Sequence, residues 1–223
     1  MTCQEAKAGR FGDKRKYFAT KMPKGLRETG IGAEKAILYD NLLAFSVDRK
    51  GLARNAGGSE GSQGNTGLYS LIALRQLPGE TTGLYSPRGF NQGAMFDAMP
   101  INGGNIYKND KGVLVYGVRL KSYFGYQIAN LHSVGAIVNI NKDNLPTPAM
   151  IDDLLADVRA TPASTLLLMH PRLLNHLNEY KADKLQVQTA AKDMDRRFTH
   201  WNGIEILTSY NFSDGNDRQY APK

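Results

Sequence analysis

The chain has 223 residues, 41% of them hydrophobic, and a formal net charge of +7. That length fits one domain or two closely packed lobes with a real core, and no apolar run approaches the roughly 18 residues of a membrane span. The polar, basic N-terminus lacks the apolar segment of a signal peptide, and Cys3, the single cysteine, excludes an internal disulfide framework or a multi-cysteine metal site, so the chain reads as soluble and made in a reducing compartment.

Residues 1–31 read as a basic N-terminal arm. Eight basic and two acidic residues fall within residues 1–27, which hold +6 of the +7. Gly9, Gly12, Pro23, Gly25 and Gly30 predict extended or irregular chain here. A basic arm on a nearly neutral body suits an anionic partner, against the plainer alternative of a solvated tail. Lys14, Arg15, Lys16, Tyr17 and Lys21 are therefore the arm's candidates for DNA or inter-subunit contact.

Ile37, Leu38, Leu42, Leu43 and Phe45 set a 3.6-residue apolar stripe, which predicts a helix over 32–48. A glycine-rich loop follows, Asn55–Gly67. Leu68–Leu74 is a strand between glycines and Pro78-Gly79. Residues 89–112 are loop-rich, and Arg88 and Phe90 beside them are two further candidate contact residues. The turn at Asn109–Gly112 predicts a hairpin joining 105–108 to 113–116. Val113–Leu120 is apolar on both alternating faces, which suits a strand covered on both sides. Together with the dense apolar segment 123–140 it reads as the core against which the rest packs.

After Ile140 the pattern alternates helix and strand. Thr147-Pro148 starts a helix, threonine as cap and proline at the first position, with Asp152 and Asp153 in its first turns. Thr161-Pro162 ends it. Ser164–Met169 is a buried strand, and His170-Pro171 starts a second helix with Leu173, Leu174, Leu177 and Tyr180 inward. Two strands around the turn Trp201-Asn202-Gly203 fall within 185–212, and 213–223 is a polar tail.

No catalytic, cofactor or metal set emerges. Gly57-Gly58-Ser59-Glu60-Gly61 fits the letters of a nucleophile elbow but lacks its strand and helix flanks. The same loop lacks the Gly-Lys-Ser/Thr of a P-loop. The four histidines have no metal-ligand spacing. Asp153 and Asp157 share a helix face that reads as solvated.

Four pieces, in order, carry a resemblance. They are Gly51-Leu52-Ala53-Arg54-Asn55-Ala56-Gly57-Gly58; Gly83-Leu84-Tyr85-Ser86-Pro87-Arg88-Gly89; Phe124-Gly125-Tyr126-Gln127-Ile128-Ala129-Asn130 with His132-Ser133-Val134 and Ile137-Val138-Asn139-Ile140; and Trp201 with Ile204-Glu205-Ile206-Leu207. Together they resemble the major capsid proteins of tailed bacteriophages, whose fold was first seen in phage Hong Kong 97. The resemblance covers about residues 36–212. It implies an α+β (mixed α/β) capsid fold with an axial and a peripheral lobe: 1–31 as arm, 32–54 as the end of a spine-like helix, 55–212 as the capsid body and 213–223 as a tail. It implies a non-enzymatic homo-oligomer of capsomer neighbours in the virion, made in the bacterial host cytoplasm and touching packaged double-stranded DNA, with no membrane or small-molecule partner. Measured against the family, the N-terminal arm and extended loop are expected to be shortened or absent. Two alternatives stand beside this reading: a basic-armed nucleic-acid-binding module, and a truncated capsid homologue that no longer assembles.

Overall fold

The structure is a computed structural model that describes residues 14–49, 52–59, 67–85, 97–121, 123–180 and 200–222. In chain order these form α1 (Lys14–Lys35), a π-helical segment (Ala36–Leu43), α2 (Ala44–Asp48), β1 (Ala53–Asn55), β2 (Tyr69–Arg75), β3 (Thr81–Tyr85), β4 (Asp97–Pro100), β5 (Tyr107–Lys108), β6 (Leu114–Val115), β7 (Val118–Lys121), β8 (Phe124–Ile128), β9 (Val134–Ile140), α3 (Pro148–Asp157), β10 (Thr165–Met169), α4 (Pro171–Tyr180), β11 (His200–Trp201) and β12 (Ile204–Thr208). The fold is mixed α and β. It divides into two compact units, one of Met1–Glu34 with Gly83–Gly125 and one of Lys35–Thr82 with Tyr126–Lys223.

The second unit holds a six-stranded sheet in the order β1-β9-β2-β10-β12-β11. β1 runs parallel to β9, and β10 to β12; the other neighbours are antiparallel. Because side chains alternate across a strand, the apolar runs split between two faces. Leu71, Ala73, Ile137, Leu167 and Met169 meet Ile151, Leu154, Val158, Leu173 and Leu177 of the α3–α4 side. Ile72, Leu74, Val134, Ala136, Val138 and Leu168 meet Leu38, Leu42 and Leu43 on the other side. Helices cover both faces, which is why the central strands read as continuous apolar runs.

Local chemistry fixes the joints. Thr147 Oγ1 accepts the Met150 N–H at 3.1 Å, capping α3 with Pro148 at its start. Asp152 and Asp153 lie beyond the first turn of α3, so they do not serve its N-terminus. Asp152 Oδ1 instead accepts Trp201 Nε1–H and Asn202 Nδ2–H, both at 2.8 Å, tying α3 to the β11–β12 hairpin. Arg54 of β1 pairs with Asp157 and reaches Asp153 at 3.8 Å, so the expected solvated face is bridged to the sheet. At Gly135 an added Cβ would sit 2.7 Å from Leu154 Cδ1, so α3 approaches β9 more closely than any side chain permits.

Several expectations need correction. Residues 14–30 were expected to be extended, yet the backbone from Lys14 is helical, with Pro23 and three glycines inside α1. Val113–Leu120 is not a covered strand. It is split into β6 and β7 around Tyr116-Gly117, and Val113 and Leu114 are 43% and 49% exposed. A Cβ on Gly117 would collide with the Tyr107 hydroxyl, so the chain breaks where that ring crosses it. Of the stretch 113–140, β9 alone is buried at every position, between β1 and β2 of the sheet. Residues 213–222 are no loose tail: Asp217 and Tyr220 are buried, Gly67 N–H bonds Gly215 O at 2.8 Å, and Asp217 N–H bonds Leu68 O at 3.2 Å. The expected hairpin is present as β5 paired with β6, Tyr107 opposite Val115 and Lys108 opposite Leu114.

Candidate contact surface

The first unit is built from ribbons. β4 pairs with β7 and β5 with β6, each as a separate two-stranded sheet. Along β7, Val118 and Leu120 are half-buried while Arg119 and Lys121 are exposed, the period-2 pattern of a one-sided ribbon. α1 lies on the apolar side. A Cβ on Gly25 would be 3.4 Å from Leu120 Cδ1, and Met22 and Leu26 are half-buried beside it. Between helix and ribbons is a cavity of about 430 Å³ lined by Met22, Gly25, Ile101, Tyr107, Val118, Leu120 and others, with Lys21 among them.

Much apolar surface of this unit faces outward. Leu84, Met99, Ile106, Val113, Leu114 and Tyr123 are between 40% and 59% exposed. Two-stranded ribbons are marginal in water without cover.

The second unit contains a buried polar centre at the start of α4. His170 Nδ1 accepts the Arg172 N–H at 3.2 Å, and His170 O accepts the Leu174 N–H, so His170 caps the helix ahead of Pro171. Nδ1 is therefore the acceptor nitrogen. Burial pushes the His170 pKa down against the opposing pull of Asp214, which favours a neutral ring. Arg172 pairs with Asp214 at 2.8 Å, and Tyr69 and Tyr210 flank the imidazole at 6.0 and 5.9 Å. Nearby, the Tyr39 hydroxyl donates to Asp217 Oδ1 at 2.7 Å and accepts the Ser213 N–H at 2.6 Å. Burial, then the Asp217 charge, holds Tyr39 far above its ordinary pKa. Burial also raises Asp217, only partly offset by the hydrogen bonds it accepts. This geometry ties α4, the π-helical segment and the C-terminal segment together; a neutral, capping histidine with its Nδ1 occupied is poorly placed as a base. Among the described residues, no group of three or more His, Cys, Asp or Glu could hold a metal ion, and no helix is long and apolar enough to cross a membrane.

Of the sequence candidates, Lys21 is exposed on α1. Lys14, Arg15, Lys16 and Tyr17 have their backbone in the first turn of α1, and their side chains lie outside the described set. Arg88 and Phe90 lie outside the described residues. The structure thus brings only Lys21 to the first unit's cavity.

Among solved structures, the chain is similar to a chain of bacteriophage Epsilon15, determined at near-atomic resolution by cryo-electron microscopy. Identity is 13%, the TM-score is 0.49, and the match covers 92% of this chain and 67% of that one. No family model matches the sequence, and no curated protein matches it.

Among the exposed apolar residues, Val113 and Leu114 belong to the stretch Val113–Leu120, whose two apolar faces read as core, while Leu84, Met99, Ile106 and Tyr123 lie outside it.

Proposed function

We propose that this chain is a structural subunit: the major capsid subunit of a tailed phage or prophage, self-associating into the hexamers and pentamers of an icosahedral head that encloses DNA, and located in the virion. Binding is its work, and no bond is made or broken. The carrying observation is the outward apolar surface of the ribbon unit, Ile106, Val113, Leu114 and their neighbours. The ordered sequence pieces support the same reading. Three of the four contribute strands to one sheet: Ala53–Asn55, Val134–Ile140 and the pair around Trp201 and Ile204 lie in the second unit's six-stranded sheet. A head-to-tail contact between unlike patches closes into rings when the rotation permits.

Sedimentation velocity tests the contact. The wild type is expected to gain mass with concentration, and Ile106→Asp/Leu114→Asp to remain monomeric with an unchanged circular dichroism spectrum. Identical self-association of both proteins would remove the ribbon surface from the account.

A further inference from the structure

The formal charge is divided unequally between the two units. Met1–Glu34 with Gly83–Gly125 carries thirteen Lys and Arg against six Asp and Glu, while Lys35–Thr82 with Tyr126–Lys223 carries fifteen of each. The entire surplus of +7 belongs to the first unit. Its densest run is the N-terminal part of α1, where Lys14, Arg15, Lys16, Lys21, Lys24 and Arg27 occur with no carboxylate among them.

This run opposes the helix that contains it. The first three residues of α1 in sequence are Lys14, Arg15 and Lys16, a composition that the positive end of a helix dipole disfavours, and no acidic residue occupies the first turn. Pro23 removes a backbone donor inside the helix. In this part of the helix Met22, Gly25 and Leu26 are half-buried. Lys21, Lys24 and Arg27 are exposed and three residues apart, so they follow one another along the helix at about 4.5 Å of rise per step. The Lys24–Glu28 pair, 3.7 Å apart and exposed at both ends, does little to offset the run.

We propose that the basic half of α1 is a contact for the phosphodiester backbone of nucleic acid, engaged by charge and without base readout, and that phosphate binding strengthens this helix. Phosphates supply the negative charge that the first turn lacks, and release of their counterions drives sequence-independent affinity. A second copy of the chain is the poorer match, because its first unit is equally cationic and its second unit has no net charge to offer. The proposal does not depend on whether copies assemble.

The test is fluorescence anisotropy of a labelled 30-base-pair duplex of mixed sequence, titrated with the full chain over a series of salt concentrations. It compares the wild type with a variant carrying Lys14→Gln, Arg15→Gln, Lys16→Gln, Lys21→Gln, Lys24→Gln and Arg27→Gln. The wild type is expected to show log affinity falling linearly with log salt, and the variant a slope shallower by up to about 5. Helical circular dichroism should rise when duplex is added to the wild type and stay level for the variant. A control with Lys35→Gln and Lys142→Gln in the second unit should match the wild type. A variant with Lys14, Lys16, Lys21 and Lys24 changed to Arg should also keep the steep slope, and loss of it would overturn the proposal, as would equal slopes for wild type and glutamine variant or affinity indifferent to salt. A glutamine variant that keeps its DNA slope but loses self-association would assign the cations to a protein partner and equally refute the proposal. Particles that form without salt-dependent DNA binding would defeat this inference and leave the assembly reading standing; DNA binding by a permanent monomer would do the reverse.

Discussion

Asn139 holds Tyr220 by both backbone groups. Its Oδ1 accepts the Tyr220 N–H at 2.8 Å and its Nδ2 donates to Tyr220 O at 2.7 Å. The same Nδ2 donates to Asn55 Oδ1 at 2.9 Å. Asn139 can do this because it is the extra residue of a β-bulge in β9: Tyr69 stands opposite Ile140 while Leu71 stands opposite Ile137. Its φ of 57° lies in the left-handed region, which asparagine tolerates better than most residues. One buried side chain thus joins β1, β9 and the C-terminal segment.

Asn139→Ala is therefore expected to destabilise the fold by about 3 kcal/mol or more, since it leaves buried polar groups of Tyr220 unpaired and places alanine at a positive φ. Asn139→Gly removes the bonds but relieves the backbone, and should cost less. Urea unfolding measures both, and amide hydrogen exchange at Tyr220 should quicken in each variant.

Arg159 offers the opposite case. It follows α3 with φ of 52°, where Arg159 N–H bonds Ala156 O and Ala160 N–H bonds Leu155 O. That is the hydrogen-bond pattern of a Schellman helix end, a position suited to glycine. Arg159→Gly should stabilise the chain by about 1 kcal/mol, read as a higher denaturant midpoint at unchanged slope.

Gly135 admits no larger residue. Gly135→Val would drive α3 off β9 against Leu154 Cδ1 and Val158 Cγ1, at an expected loss of about 1–3 kcal/mol from overpacking. Gly79 has a positive φ but open space around it. Substitution there should cost only the backbone term, and denaturant curves of Gly135→Val and Gly79→Ala separate the two effects.

Asp217 and His170 make stability depend on pH in opposite directions. Burial raises the Asp217 pKa, so its contribution is full below the unfolded value of about 4 and is lost as pH rises through the raised value. Burial lowers the His170 pKa, so its contribution is present above about pH 6.5 and is lost as pH falls through the lowered value. Tyr39, Ser70, Ser213 and His170 act on Asp217, while Asp214 and Arg172 also act on His170. Ser70 Oγ is the hydroxyl that acts on Asp217, and both it and Asp217 Oδ2 are buried without a hydrogen bond of full geometry. Asp217→Asn puts a donor in that place and removes the buried charge. It should keep or gain stability at neutral pH and lose the decline above pH 4, as urea midpoints across pH would record.

The second unit was legible wherever one cause set the pattern. Thr147 and His170 announced their helices, and Asn202-Gly203 announced its hairpin. What stayed hidden depends on contacts distant in sequence. Pro23 and Gly25 counted as breakers, yet Gly25 is the residue that lets α1 approach Leu120. Polar spacing in 213–222 concealed a segment held by Asn139 and Tyr39 from elsewhere in the chain. The apolar faces of Val113–Leu120 were visible, but periodicity says which face is apolar and never what covers it. Of the contact residues, charge alone exposed Lys21, while Val113 and Leu114 resembled core and Ile106 lay in a predicted hairpin arm.

Negative-stain electron microscopy of the purified wild-type chain, across protein concentration and salt, tests the structural-subunit claim most directly. Rings of five or six copies, or closed shells, are the predicted result; single, unassociated particles under every condition would contradict it.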